Sequence, residues 1–443
     1  MTSSDITTPL DSDVSATDVG LRRRAALSRR AIPLVCVVIV LAVVAGLAYN
    51  LVGLPGLRAL GDYYRIDLDV YRLGGRVFVS GSPLYGQMPP TAIGNTLPFT
   101  YPPIAATIFG PLSMISLHWA GIVVTAVSLT LLFGTIVLTL VSLGVAPRTV
   151  LLWVAGAVFA VSMILEPVFS TFDYGQINII LMAFVAADCL PRKTPWPRGV
   201  LIGFVAAVKL TPAVFVLFFL FRKDFRAAVV SGISFAAFTA LGFAVTFSDS
   251  LQYWTQTLVD SDRIGRPAYP ANQSISGVLA RLGLEDSIRS ATWIAVSFGL
   301  LVLTFFAMRK AFAANQTALG LGVNAMFGLL VSPVSWSHHW VWVVPFMVAL
   351  ATLAYRRKNA LVLCFVGIGA VLMHFAPHWG LAIGRSSGLD WPLWDQLAAS
   401  SYVWWGIAAI VAVASVTWPT AREPGTPDLD AKSAPRSGAV VSP

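Results

Sequence analysis

Charge is scarce in this sequence: Asp, Glu, Lys and Arg make up only 12% of 443 residues, while 56% are hydrophobic. A chain this poor in charge cannot clothe itself in a solvated surface, which excludes an ordinary soluble globular protein and makes lipid its main solvent. Cysteine is scarcer still. Cys36, Cys189 and Cys364 all lie in or beside apolar runs, so neither a disulfide framework nor a thiolate metal site is indicated, and no metal is expected. Nothing between the apolar runs is long enough for a separate soluble domain, and no internal repeat is evident, which counts against inverted-repeat transporters. The net charge of +9 suggests nucleic acid at first sight, but the cations lie in short links between apolar runs. That pattern orients a membrane protein and argues against a nucleic-acid partner.

Apolar stretches near the ~20 residues that cross a bilayer recur along the chain. Residues 1–30 are polar and read as a disordered cytoplasmic N-terminus, residues 31–418 as the membrane domain, and residues 419–443, rich in Pro, Ala, Ser and charge, as a disordered cytoplasmic tail. The run Ala31–Leu51 is too long for a signal-peptide core and follows five arginines, so it reads as a retained first helix. Arg192/Lys193/Arg198, Arg222/Lys223/Arg226, Arg309/Lys310 and Arg356/Arg357/Lys358 each sit between apolar runs, and the positive-inside rule puts all four in the cytoplasm. Residues 54 to about 102 then emerge outside. Residues 103–117 read as re-entrant or interfacial, and Gly199–Phe221, with cations at both ends, needs a break that Lys209-Leu-Thr-Pro212 supplies. The expectation is an all-α polytopic membrane protein of about 10–13 transmembrane or re-entrant helices.

This topology gathers the polar chemistry on one outer face: Asp67, residues 98–103, Glu166–Asn178, Asp260–Ser274, Ser332–His339 and His378–Asp395. The cytoplasmic links carry little beyond Arg, Lys, Pro and Gly, so an outward-facing site is expected. Each candidate has a plainer alternative. Asp67 and Asp69 could merely keep a connecting loop wet, and Glu166 and Asp173 could serve as helix caps or turn residues. Lys209 lies within an apolar run, where a lysine costs roughly 2.5–3.5 kcal/mol on insertion scales, so a partner or ligand should offset it unless it snorkels. His338 and His339 are adjacent and point to different faces of any helix they begin, so at most one reaches a shared site directly.

At these residues the chain resembles the polyprenol-phosphate-mannose-dependent mannosyltransferases of glycosyltransferase family 87, in the multi-spanning GT-C class. The matching stretches are Asp67-Leu-Asp-Val-Tyr71, Leu97-Pro-Phe-Thr-Tyr-Pro-Pro103, Glu166-Pro-Val168, Asp173-Tyr-Gly-Gln-Ile-Asn178, Val208-Lys-Leu-Thr-Pro212, Asp262-Arg-Ile-Gly265, Asn272-Gln-Ser274 and Ser332 to Trp342. The resemblance implies a GT-C bundle in the cell membrane with an extracytoplasmic active site. It further implies transfer of mannose from polyprenyl-phosphate mannose to a mannosylated lipid, with inversion to an α-1,2 linkage. The acceptor stays open among phosphatidylinositol mannoside, lipomannan and lipoarabinomannan. On this resemblance Asp67 is the catalytic base, and Arg263, Lys209, His338 and His339 bind the donor phosphate. Sugar or acceptor contacts fall to Asp69, Tyr71, Tyr101, Glu166, Asp173, Tyr174, Gln176, Asn178 and Asn272. The partners are then the two lipid substrates and membrane lipids, with the donor as co-substrate and no further cofactor. A relative that transfers another lipid-linked sugar such as arabinofuranose, and a glycolipid transporter or flippase, are the alternatives.

Overall fold

The computed structural model describes residues 13–53, 64–260, 263, 265–381 and 391–418. Its regular structure among these residues is helical, apart from an isolated bridge between Asn272 and Trp336. The helices, in chain order, are α1 Asp13–Leu51, α2 Ile66–Val79, α3 Pro103–Ser113, α4 Leu117–Ser142, α5 Arg148–Ser162, α6 Glu166–Tyr174, α7 Asn178–Cys189, α8 Val200–Val208 and α9 Val216–Arg222. Then follow α10 Phe225–Val245, α11 Phe247–Thr255, α12 Ile275–Arg281, α13 Asp286–Ala313, α14 Thr317–Val331, α15 Val343–Arg356, α16 Ala360–Phe375, α17 Leu393–Ala399 and α18 Ser401–Ser415. Among the described residues four 3₁₀ turns, Thr211–Phe215, Thr257–Val259, Ser337–Trp342 and Pro377–Leu381, interrupt this series.

Among the described residues six helices are long and apolar enough to cross a membrane, or up to eight if each of two bent pairs counts as one span. Four shorter apolar helices accompany them. This is a multi-pass membrane protein. The expected break at Lys209 is present: α8 ends at Val208 and α9 begins at Val216. Arg222 comes back within electrostatic reach of Arg198, so the two half-helices form a hairpin that enters and leaves from one end of the bundle. Other cationic links gather there too. Arg356 donates to the Leu143 carbonyl (2.6 Å) at the end of α4, and Thr139, Leu190 and Ala318 line one small gap.

Several boundaries differ from the sequence expectation. α1 starts at Asp13, inside the segment expected to be disordered, because Leu21–Arg30 is built from strong helix formers, Leu, Arg and Ala. Residues 1–12 and the tail 419–443 lie outside the described residues, as do Asp262 and residues 382–390. The stretch opened by Asp67 is the first turn of α2, not an open loop. Glu166 and Asp173, read as possible helix caps or turn residues, lie on a short helix, Glu166–Tyr174, bent 68° from α5. Its signals are local: Pro167 in the first turn, where a missing N–H costs nothing, and Gly175 at its end in the left-handed region.

Gly175 closes α6 with the Gly175 N–H donating to the Phe172 carbonyl (3.2 Å) and the Gln176 N–H to the Thr171 carbonyl (2.9 Å). Its φ is +70°, and a Cβ there would stand 2.6 Å from Leu68 Cβ and 3.1 Å from Arg65 Cβ. The α6–α7 corner is therefore pressed directly onto the start of α2. Arg65 reinforces the joint by donating from Nε to the Phe172 carbonyl (3.1 Å). Gly175→Ala combines left-handed strain with a clash and should cost about 2–4 kcal/mol. Gly134→Ala, at a position in α4 with nothing within 4 Å, should be neutral or mildly stabilising. Thermal unfolding of the detergent-solubilised protein checks the pair; equal melting temperatures would contradict the packing described.

Candidate active site

The joint between α2 and the α6–α7 corner determines what meets Asp67. Gln176, the residue after Gly175, donates from Nε2 to Asp67 Oδ2 (2.8 Å). Its Oε1 accepts from Tyr71 Oη (2.7 Å) and, at 3.4 Å, from Tyr101 Oη. The two tyrosine hydroxyls are 2.7 Å apart, and Tyr71 stacks on Phe109 with centroids 4.4 Å apart. Tyr71 and Tyr101 are thus buried supports that orient the amide, and the amide orients the carboxylate.

Asp67 is in the first turn of α2, where unpaired amide dipoles favour an anion. Burial outweighs this and raises its carboxyl above the usual range to about 6, opposed by the Gln176 hydrogen bond and the charge of Lys209. The carboxylate opens on a cavity of about 200 Å³ whose lining includes Tyr174, Gln176, Tyr269, Trp336, His338 and Trp379. Among the described lining residues Asp67 is the sole acid. His338 presents a buried Nε2 with no protein partner.

Lys209 lies at the break between α8 and α9. Its Nζ donates to Asn178 Oδ1 (3.1 Å), stands 3.5 Å from His339 Nε2, and sits 5.4 Å from the Tyr101 ring centroid. Asn178 and His339 line a second cavity of about 60 Å³ with Thr211, Phe215, Gly328 and Trp342. The two histidines thus serve different cavities, as their adjacency in sequence requires. Their turn is pinned where the His338 carbonyl accepts from Asn178 Nδ2 and Thr171 Oγ1, both at 3.0 Å.

Five residues expected at the site stand behind it or apart from it. Asp69, two residues from Asp67, is carried to the far side of α2 by the helical twist. There it accepts from Ala92 N (2.8 Å) and Tyr64 Oη (3.3 Å) and pairs with Arg72 (3.6 Å). Glu166 is fully buried and committed to protein: Oε1 accepts from Ser170 and Ser337 (2.7 Å each) and Trp379 (2.9 Å), and Oε2 from Tyr402 (2.9 Å). Asn272 donates to the Pro267 carbonyl (2.9 Å) and accepts from Ser274 Oγ and Ser335 N (2.9 Å each). Arg263 is near Tyr85 and is not among the cavity's described lining. Asp173 is half-buried on α6 and likewise not part of that lining.

Sequence reasoning missed the aromatic wall of Tyr269, Trp336 and Trp379. A signal existed in Pro267 and Pro270, which bracket Tyr269 and fix its turn, but tryptophans near a membrane surface are common enough to hide the other two. Arg65, which locks α2 to α6, was missed as well.

The glycosyltransferase family 87 profile matches residues 99–333. The chain is 45% identical over 382 residues to a polyprenol-phosphate-mannose-dependent α-(1-2)-phosphatidylinositol mannoside mannosyltransferase of Mycolicibacterium smegmatis, covering 82% of this chain and 86% of that protein. It is 44% identical over 366 residues to a protein of the same name from Mycobacterium tuberculosis, covering 80% and 85% of the two chains. A polyprenol-phosphate-mannose-dependent α-(1-2)-phosphatidylinositol pentamannoside mannosyltransferase of Mycobacterium tuberculosis is 33% identical over 341 residues, 74% of this chain and 77% of that one. No solved structure matches. With the profile spanning more than half of the sequence, and relatives at this identity aligned over four-fifths of it, the chain belongs to glycosyltransferase family 87.

Proposed function

We propose that this enzyme moves mannose from polyprenyl-phosphate mannose to a hydroxyl of a phosphatidylinositol mannoside, forming an α-1,2 linkage with inversion, on the extracytoplasmic face of the cell membrane. The observation that carries the reading is a single half-buried carboxylate, Asp67, opening on a cavity that His338 also lines, with Lys209 and His339 beside each other next to the second cavity and no second acid in the described lining. A retaining mechanism needs two closely spaced carboxylates, whereas single displacement needs one base. The acceptor oxygen attacks the anomeric carbon, its proton passes to Asp67, and the bond from that carbon to the phosphate oxygen breaks. The phosphate leaves already ionised and needs no general acid; Lys209, His338 and His339 stabilise its charge. The lipid-linked sugar is co-substrate, and no separate cofactor takes part. The relatives are named for the same donor and for phosphatidylinositol mannosides, and the four cationic links support the outward orientation of the site. Membership in a glycosyltransferase family leaves the transporter alternative without support.

Purified protein given polyprenyl-phosphate mannose and a phosphatidylinositol mannoside should form an α-1,2-mannosylated product. Robust transfer from GDP-mannose without the lipid donor would overturn the reading.

Asp67→Asn retains size and the Gln176 contact but removes the proton acceptor, so turnover should fall about 10²–10⁴-fold. Asp69→Asn faces away from the cavity and should cost far less turnover while loosening the Ala92 loop. Near wild-type turnover of folded Asp67→Asn would reassign the base.

The pH profile tests the same residue through its carboxyl. The base acts only when ionised, so kcat/KM should be full above pH ~6 and fall about tenfold per unit below it. The Gln176 hydrogen bond lowers this carboxyl's pKa, so Gln176→Leu should move the acid limb to higher pH. A limb near pH 4 in the wild type would contradict the environment described for Asp67.

A further inference from the structure

Three half-buried aromatic side chains, Tyr269, Trp336 and Trp379, form a corner of the cavity that holds Asp67. Tyr269 turns its ring across both indoles, with centroids 6.0 Å from Trp336 at 75° and 6.4 Å from Trp379 at 72°. Tryptophans in a membrane belt need no fixed orientation, since lipid offers none. Here a buried polar side chain holds the Trp379 indole itself, and two others hold the backbone that carries Trp336 and Tyr269. Glu166 accepts from Trp379 Nε1. Asn272 accepts from Ser335 N, and its backbone bridges to Trp336. Arg281 donates to the Tyr269 carbonyl (3.2 Å) and the Asn272 carbonyl (3.1 Å), and to Ser400 Oγ (3.0 Å).

All three of these polar residues are 0% exposed, and neither Glu166 nor Arg281 has a counter-charge among its hydrogen-bond partners. Burying unpaired ionisable groups is costly, and packing a greasy wall would not require it. What the three have in common is a contact with a residue of the aromatic corner.

We infer that this corner is a carbohydrate subsite that receives a pyranose of the mannoside acceptor, with Glu166, Asn272 and Arg281 as its positioning residues. The inference rests on the functional reading above and extends it to the residues that recognise the acceptor. A pyranose presents polarised C–H bonds on one face and hydroxyls at its rim. The C–H face suits the electron-rich faces of fixed rings, and the rim suits a few convergent polar groups. Those groups are present: Asp67 and Gln176 line the same cavity. The same polar atoms disfavour an acyl or polyprenyl chain in this cavity. Glu166 and Asn272 were expected to touch sugar themselves; here they act through Trp379 and Trp336.

The test is steady-state transfer by the full-length purified enzyme, with polyprenyl-phosphate mannose and a phosphatidylinositol mannoside varied independently. Trp379→Ala should raise the acceptor KM about tenfold or more and leave the donor KM unchanged, whereas Trp379→Phe, which keeps a ring face, should raise it only about two- to threefold. Glu166→Leu, which frees the indole, should reproduce the acceptor-KM defect, and Glu166→Gln, which keeps an acceptor oxygen for it, should restore most of the binding. If Glu166→Leu does not fold, the two Trp379 variants decide the matter alone. An unchanged acceptor KM in Trp379→Ala, or a defect confined to the donor KM, overturns the subsite while leaving the transferase reading intact. Absence of any transfer by the wild-type enzyme removes that reading, and the subsite with it.

Discussion

A helix in a membrane can be broken only where something other than water takes up the backbone groups that the break frees, and the site of this protein is built from such places. Three breaks converge on it: the bend between α5 and α6, the interruption between α8 and α9, and the 3₁₀ turn that precedes α15. Each is stitched by a side chain from another element. The His338 carbonyl accepts from Thr171 and Asn178, and the Val214 carbonyl accepts from Asn324 Nδ2 at 3.2 Å. Ser337, at the start of the turn, donates to Glu166 at the start of α6. These bonds satisfy backbone and cross-link breaks at the same time. Polar residues that chemistry requires are thereby collected where the fold can tolerate them.

The large features were legible in the sequence because they follow from strong local rules. Cations at both ends of a run one bilayer long forced the break at Lys209, and adjacency alone separated the facings of His338 and His339. What the sequence could not show was which polar residues face a ligand and which are consumed by protein. Glu166, Asp69 and Asn272 look like Asp67 and Gln176 in composition and setting. They differ in being turned away from the cavity onto partners such as Tyr402, Ala92 and Ser335. Those partners are distant in the chain, so no window of sequence contains the distinction. The short helix α6 was missed for another reason, since nine residues carry too little periodicity to outweigh a loop-like composition.

The aromatic wall shows the same limit from the opposite side. Trp336 and Trp379 are 43 positions apart (379 − 336) and come from different 3₁₀ segments or their flanks, yet they share one cavity with Tyr269. Only the buried polar residues behind them, themselves drawn from α6, α12 and the segment before α12, make that assembly a fixed surface.

The arrangement of charge around Asp67 completes the logic. A base and a cation in one low-dielectric site attract strongly, and a direct pair would hold the carboxylate's lone pairs and lower its basicity. Here each reaches an amide instead: Gln176 donates to Asp67, and Asn178 accepts from Lys209. The two amides are two residues apart on the α6–α7 corner, which the left-handed Gly175 presses onto α2. Lys209 still lowers the Asp67 carboxyl through space without occupying it. The carboxylate therefore stays free to take a proton, the ammonium stays free to meet an anion, and one short corner sets the separation between them.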